Sequence, residues 1–116
     1  MLSHEKLDVY QKSIQFLALS ARLVDGLTKG HATIASQLKR AALSVPLNIA
    51  EASGRTGSAD NAHRFGIARG SALECGAILD ACRVLAVADP ALLDEGKALV
   101  TSVVAMLSKL ARPRQQ

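Results

Sequence analysis

Residues 58–88 read SADNAHRFGIARGSALECGAILDACRVLAVA, and this stretch decides the fold. Phe65, Ala68, Ala72, Cys75, Leu79, Cys82 and Ala86 recur at alternating spacings of three and four. That is the seam of a helix packed lengthwise on other helices, whereas a half-buried strand alternates with period two. Ser58 is a good N-cap and Asp60 suits the positive end of a helix dipole, so one long helix is predicted from Ser58 to about Ala88. Ala62, Gly66 and Gly70 add a smooth strip along it. Interior helical glycines cost about 1 kcal/mol each relative to alanine, which close approach of another backbone would offset.

Working outward, three more helical segments emerge. Upstream, Thr33 is a candidate N-cap for a helix through Ala35, Leu38, Ala42, Val45, Ile49 and Ala52 to a stop at Gly54, with a bend expected at Pro46. Gly54-Arg55-Thr56-Gly57 is the turn into the long helix. Before that, Tyr10, Ile14, Leu17, Ala21 and Val24 form one stripe over residues 8–27, and Val9, Phe16, Leu23 and Leu27 a second. Asp8 with Gln11 is a plausible capping pair at its start. Downstream, Asp89-Pro90 places an N-cap before a proline at the first helical position. The last helix then carries Leu92, Leu99, Val103, Met106 and Leu110 on one stripe and Leu93, Val100, Val104 and Leu107 on another, ending by Pro113.

Connections of about three to six residues make sequential helices antiparallel neighbours. The expected fold is therefore all-α, an antiparallel up-down four-helix bundle over residues 1–112, with a mobile tail at 113–116. The first and last segments carry more apolar width than one core seam requires, which points to a homo-oligomeric assembly; the plainer alternative is that both stripes fill a single core.

Composition narrows the function classes. The 116 residues suffice for one domain, and two Phe, one Tyr and no Trp leave Ala, Leu, Val and Ile to build the core. The net charge of +4 is compatible with anionic partners without demanding one. No apolar run approaches a membrane span and the start lacks the pattern of a secretory signal, so a cytoplasmic protein with no membrane partner is expected. Cys75 and Cys82 fall about 10 Å apart along one helix, beyond disulfide reach, and read as reduced core residues.

The stretches Gln37-Leu38-Lys39-Arg40-Ala41-Ala42-Leu43-Ser44-Val45-Pro46-Leu47-Asn48-Ile49-Ala50-Glu51-Ala52-Ser53-Gly54-Arg55 and Arg64-Phe65-Gly66-Ile67-Ala68-Arg69-Gly70-Ser71-Ala72-Leu73-Glu74 are the most specific part of the chain. Together with Leu7-Asp8-Val9-Tyr10-Gln11-Lys12, they resemble the four-helix bundle family of proteins encoded in intervening sequences of bacterial 23S ribosomal RNA genes. That family also includes the accessory variability determinant proteins of diversity-generating retroelements. Tyr10 stands where the family usually has Trp, and Ala52 where Gly is common. The resemblance implies a ring of five bundles, with nucleic-acid binding proposed for some members and no established enzymatic activity.

Arg40, Ser44, Asn48, Glu51 and Arg55 share one face of the second helix, with Arg69, Ser71 and Glu74 as possible partners on the third. A structural polar network of Ser44, Asn48, Glu51, Arg69 and Glu74 that fixes helix register is the leading reading, with a binding site as the alternative. Lys39, Arg40, Arg55, Arg64 and Arg69 are the candidate contacts to RNA or DNA phosphates. Lys109, Arg112 and Arg114 are further cations, read as ordinary solvated charges. No stacking platform or recognition motif accompanies them, so binding would be led by charge and shape.

No catalytic constellation appears. His4, His31 and His63 lack the spacing of a bundle metal site, Asp60 with His63 reads as a first-turn arrangement, and no base shares the seam of the cysteines. No cofactor or metal is expected. Two functions follow: a self-assembling accessory protein that binds nucleic acid, or a protein-interaction scaffold that does not.

Overall fold

The computed structural model describes residues 2–54 and 58–112. A single 3₁₀ turn, Ser3–Lys6, precedes four helices: α1 Asp8–Asp25, α2 Ala32–Ser53, α3 Ser58–Leu85 and α4 Pro90–Leu110. Each helix packs on two others, in the cycle α1, α2, α3, α4 and back to α1, and the backbones of the diagonal pairs stay apart while their side chains share the core. This is the square plan of the expected all-α up-down bundle, and it measures 50 × 28 × 21 Å.

The interior divides into two layers, each with one phenylalanine. Phe16, Leu38, Cys75, Leu79, Cys82 and Leu93 pack near the end where α2 and α4 begin. Val9, Val45, Ile49, Phe65, Val103 and Leu107 pack near the end where α1 and α3 begin. Alanines fill the space between larger side chains: Ala41, Ala42, Ala52 and Ala68 are wholly enclosed. With so few aromatics, close packing requires the backbones to approach, and small side chains permit this.

Local chemistry sets the helix ends, in places differently from expectation. At α4, Asp89 caps as its sequence suggests, its carboxylate accepting from the Ala91 N–H at 3.0 Å. At α1, Asp8 is the first helical residue and Leu7 the N-cap, so the Asp8–Gln11 pair does not form. Gln11 instead donates to the Glu5 carbonyl, and Glu5 receives the Leu2 N–H. Helix α2 begins at Ala32 with His31 rather than Thr33 at the cap, and it continues through Pro46 as one element. The Ser58 side chain, the turn at 55–57 and the tail at 113–116 lie outside the described residues.

Helix α3 stops at Leu85 rather than Ala88. Ala86 turns into the left-handed region at φ 54°, the Val87 N–H returns to the Cys82 carbonyl, and the Ala86 N–H bonds to Arg83. This is a Schellman closure with alanine where glycine is usual. It is secured by burial of Val87 beside Cys82. Ala86 is therefore exposed and leaves the seam, while Phe65 to Cys82 remain buried as the spacing predicts.

Two assignments of faces are corrected. The buried side of α1 is Val9, Ser13, Phe16, Leu19, Ser20 and Leu23, so the Tyr10–Ile14–Leu17 stripe lies on its flank. The hydroxyls of Ser13 and Ser20 enter the core because each donates to a carbonyl three residues back, at 2.6 and 2.7 Å. On α3, Ala62 is buried but a Cβ at Gly66 or Gly70 would meet nothing within 4 Å, so among the described residues no backbone lies on that strip. The close approach occurs at Gly96 of α4, where a Cβ would stand 3.1 Å from both Leu19 and Leu79.

Candidate nucleic-acid interface

A polar seam runs along the outer edge of the α2–α3 contact. From the middle of the bundle outward, Arg40 pairs with Glu74, the Ser44 and Ser71 hydroxyls meet at 2.8 Å, and Arg64 reaches Asn48 and Glu51, each at 3.4 Å. Asn48 also donates back to the Ser44 carbonyl at 2.9 Å. Four of the five expected network residues therefore work together on this seam. Arg69 does not join them: it leans to the opposite side of α3 and donates to the Ser108 hydroxyl of α4 at 2.8 Å. Helical geometry accounts for the split, since positions 69 and 71 lie roughly 160° apart when viewed down the axis.

The candidate phosphate contacts thus occupy different settings. Lys39 is exposed on α2, Arg40 and Arg64 bind carboxylates on the seam, and Arg69 is half-buried between α3 and α4. Arg55 lies outside the described residues.

The cations do share one feature, visible only once the helices are stacked. At the end where α2 and α4 begin, Arg22, Lys29, Lys39, Arg40, Arg83 and Lys97 are matched one for one by Asp25, Glu74, Asp80, Asp89, Asp94 and Glu95. Several of these charges are joined directly, as in Arg83–Asp94 and Lys97–Asp80. At the other end, Lys6, Lys12, Arg64, Arg69, Lys109 and Arg112 outnumber Glu5, Asp8, Glu51 and Asp60. The described residues of that end thus carry an excess of two positive charges; Arg55 and Arg114, which supply the rest of the chain's net +4, lie outside the described residues. Lys6 and Lys12 had not been considered as site residues. Their place beside the C-terminus of α4 follows from up-down topology and could be found by assigning each charge to a helix half.

Catalytic alternatives find little material. Among the described residues no group of three His, Cys, Asp or Glu side chains could hold a metal ion, and His4 stacks edge-on against Tyr10 at 4.7 Å. Cys75 and Cys82 are free and buried. Burial, reinforced by the Glu74 carboxylate and opposed by Arg40, pushes the Cys75 thiol up to about 12, and burial also raises Cys82. A thiol held this firmly protonated is a poor nucleophile. Among the described residues no helix is long and apolar enough to cross a membrane.

The family model for 23S rRNA-intervening sequence protein matches residues 5–109. No curated protein matches the chain. Among solved structures, a protein of unknown function from the S23 ribosomal protein family of Bacteroides thetaiotaomicron superposes with a TM-score of 0.79. It is 21% identical over 90% of this chain and 98% of that one, and so supports the four-helix architecture.

Proposed function

The chain belongs to the family of 23S rRNA-intervening sequence proteins, and from that premise we propose that it is a non-enzymatic, self-assembling accessory protein that binds RNA or DNA through the basic end of its bundle. One observation carries this reading: the excess positive charge gathers where α1 and α3 begin, while the charges of the opposite end balance. A polyanion responds to such a local excess because each phosphate neutralised releases condensed counterions. Assembly, into the ring of five that the resemblance implies, would repeat the basic end around a common axis and multiply weak contacts into useful avidity. The link to accessory variability determinant proteins rests on the sequence resemblance of Leu7–Lys12, Gln37–Arg55 and Arg64–Glu74.

The test is fluorescence anisotropy with a structured RNA and a duplex DNA across a salt series. Affinity should fall steeply as salt rises, and Lys109→Ala with Arg112→Ala should flatten the slope of log K against log salt by about 1 per contact removed. Lys29→Ala, on the balanced half, should leave the slope unchanged. Absence of binding at low salt by nucleic-acid-free protein would replace this reading with that of a protein-interaction scaffold, which the exposed Leu43, Leu47 and Leu73 also favour.

A further inference from the structure

The apolar overhang is not where the widths of α1 and α4 suggested. Ile14 and Leu110 protrude only modestly, whereas on the outer face of α2 Leu47 is 58% exposed and Leu43 is 47% exposed. The α1–α4 side of the square has the reverse relief. There a groove of about 510 Å³ runs between α1 and α4, floored by Leu19 and Leu99 and edged by Ala98 and Ser102. The groove opens on the α1–α4 side of the square and Leu43 and Leu47 lie on the outer side of α2, so one chain cannot bring the two surfaces together.

We propose that the outer face of α2, through Leu43 and Leu47, docks into the α1–α4 groove of a second copy of this chain, with α2 and the partner's α4 running parallel. This deepens the reading that the protein self-assembles and rests on it. Spacing and charge together select the partner and its direction. Arg40, Leu43, Leu47 and Ala50 on α2 repeat the intervals of Glu95, Ala98, Ser102 and Ala105 on α4, so bulky residues fall beside small ones in register. The α2 face is basic at its start, at Lys39 and Arg40, and acidic near its end, at Glu51. The groove carries Glu95 together with Arg22 of α1 at the start of α4, and is basic toward its other end, at Lys12 of α1 and Lys109 of α4. Parallel docking sets Arg40 against Glu95 and Glu51 against Lys12 and Lys109, whereas antiparallel docking sets Lys39 and Arg40 against Lys12 and Lys109. Arg40 and Glu51 keep their partners Glu74 and Arg64 within the chain, so the second copy adds to charges already fixed in place. Such an interface is heterologous: each copy offers a donor face to one neighbour and a groove to the next, which generates a ring where the rotation closes.

Two surface variants test the pairing of faces. Leu47→Glu spoils the donor face and Ala98→Glu the groove, and both positions are exposed enough to leave the fold intact, as helix content and melting temperature would show. Light scattering should find each variant alone at the 12.2 kDa of one chain. An equimolar mixture should double that mass, because the intact groove of one variant accepts the intact α2 face of the other. Variants that keep the wild-type assembly, or a mixture that stays monomeric while the wild type assembles, would overturn the pairing. A monomeric wild type would instead remove the assembly reading on which it rests. As a second check on direction, Glu95→Lys should weaken assembly, and Lys39→Glu in the same chain should restore part of it; no effect of either would contradict the parallel register.

Discussion

Single residues carry the sharpest expectations. Ala86 holds φ 54° at the end of α3, a conformation that costs an alanine about 1 kcal/mol and glycine almost nothing. Ala86→Gly should therefore raise stability by about that amount, seen as a higher urea midpoint at unchanged slope. The two kinds of helical glycine should respond oppositely. Gly96→Ala places a methyl 3.1 Å from Leu19 and Leu79 and should cost about 1–3 kcal/mol through overpacking. Gly66→Ala meets open space and should stabilise by about 0.5–1 kcal/mol through helix propensity. Cys75 supplies a pH dependence. The unfolded thiol ionises near 9.0 while the folded one resists until about 12, so its contribution is fully present below pH 9 and is lost as pH rises toward 12. Urea unfolding from pH 9 upward should show a shallower loss of stability in Cys75→Ala than in wild type.

At the scale of elements, the helices were legible because the apolar period persists over many residues and the strongest end signals are local. Asp89-Pro90 shows this: both the cap and the helix start follow from two adjacent side chains. Faces were harder to read. Helix α1 has two apolar stripes, and which one enters the core is settled by serines able to satisfy their hydroxyls on their own backbone, as Ser13 and Ser20 do. The polar seam was legible in α2, where a regular spacing marks it, but its partners on α3 could not be separated without knowing which side of α3 meets α2. Arg69 went to α4 for that reason. Its half-buried bond to Ser108 should make Arg69→Ala cost about 1 kcal/mol, against less than about 0.5 kcal/mol for exposed Lys109→Ala. Thermal melts of the two variants would check this.

For the whole molecule, the core explains the fold, and the exterior carries the features on which the proposals of nucleic-acid binding and self-assembly rest. Charge balances at one end and accumulates at the other, and exposed leucines stand opposite an open groove. None of these features depends on a single residue, and stacking the helices was needed to see them. The absence of Trp and the presence of only one Tyr make the protein nearly transparent at 280 nm, so bound nucleic acid would dominate its ultraviolet spectrum. Light scattering of freshly purified wild-type protein, with absorbance recorded across the same peak, is the most direct measurement. The expected result is a particle several times 12.2 kDa whose 260 nm absorbance disappears after a high-salt wash; a 12.2 kDa species with the spectrum of protein alone before any wash would contradict it.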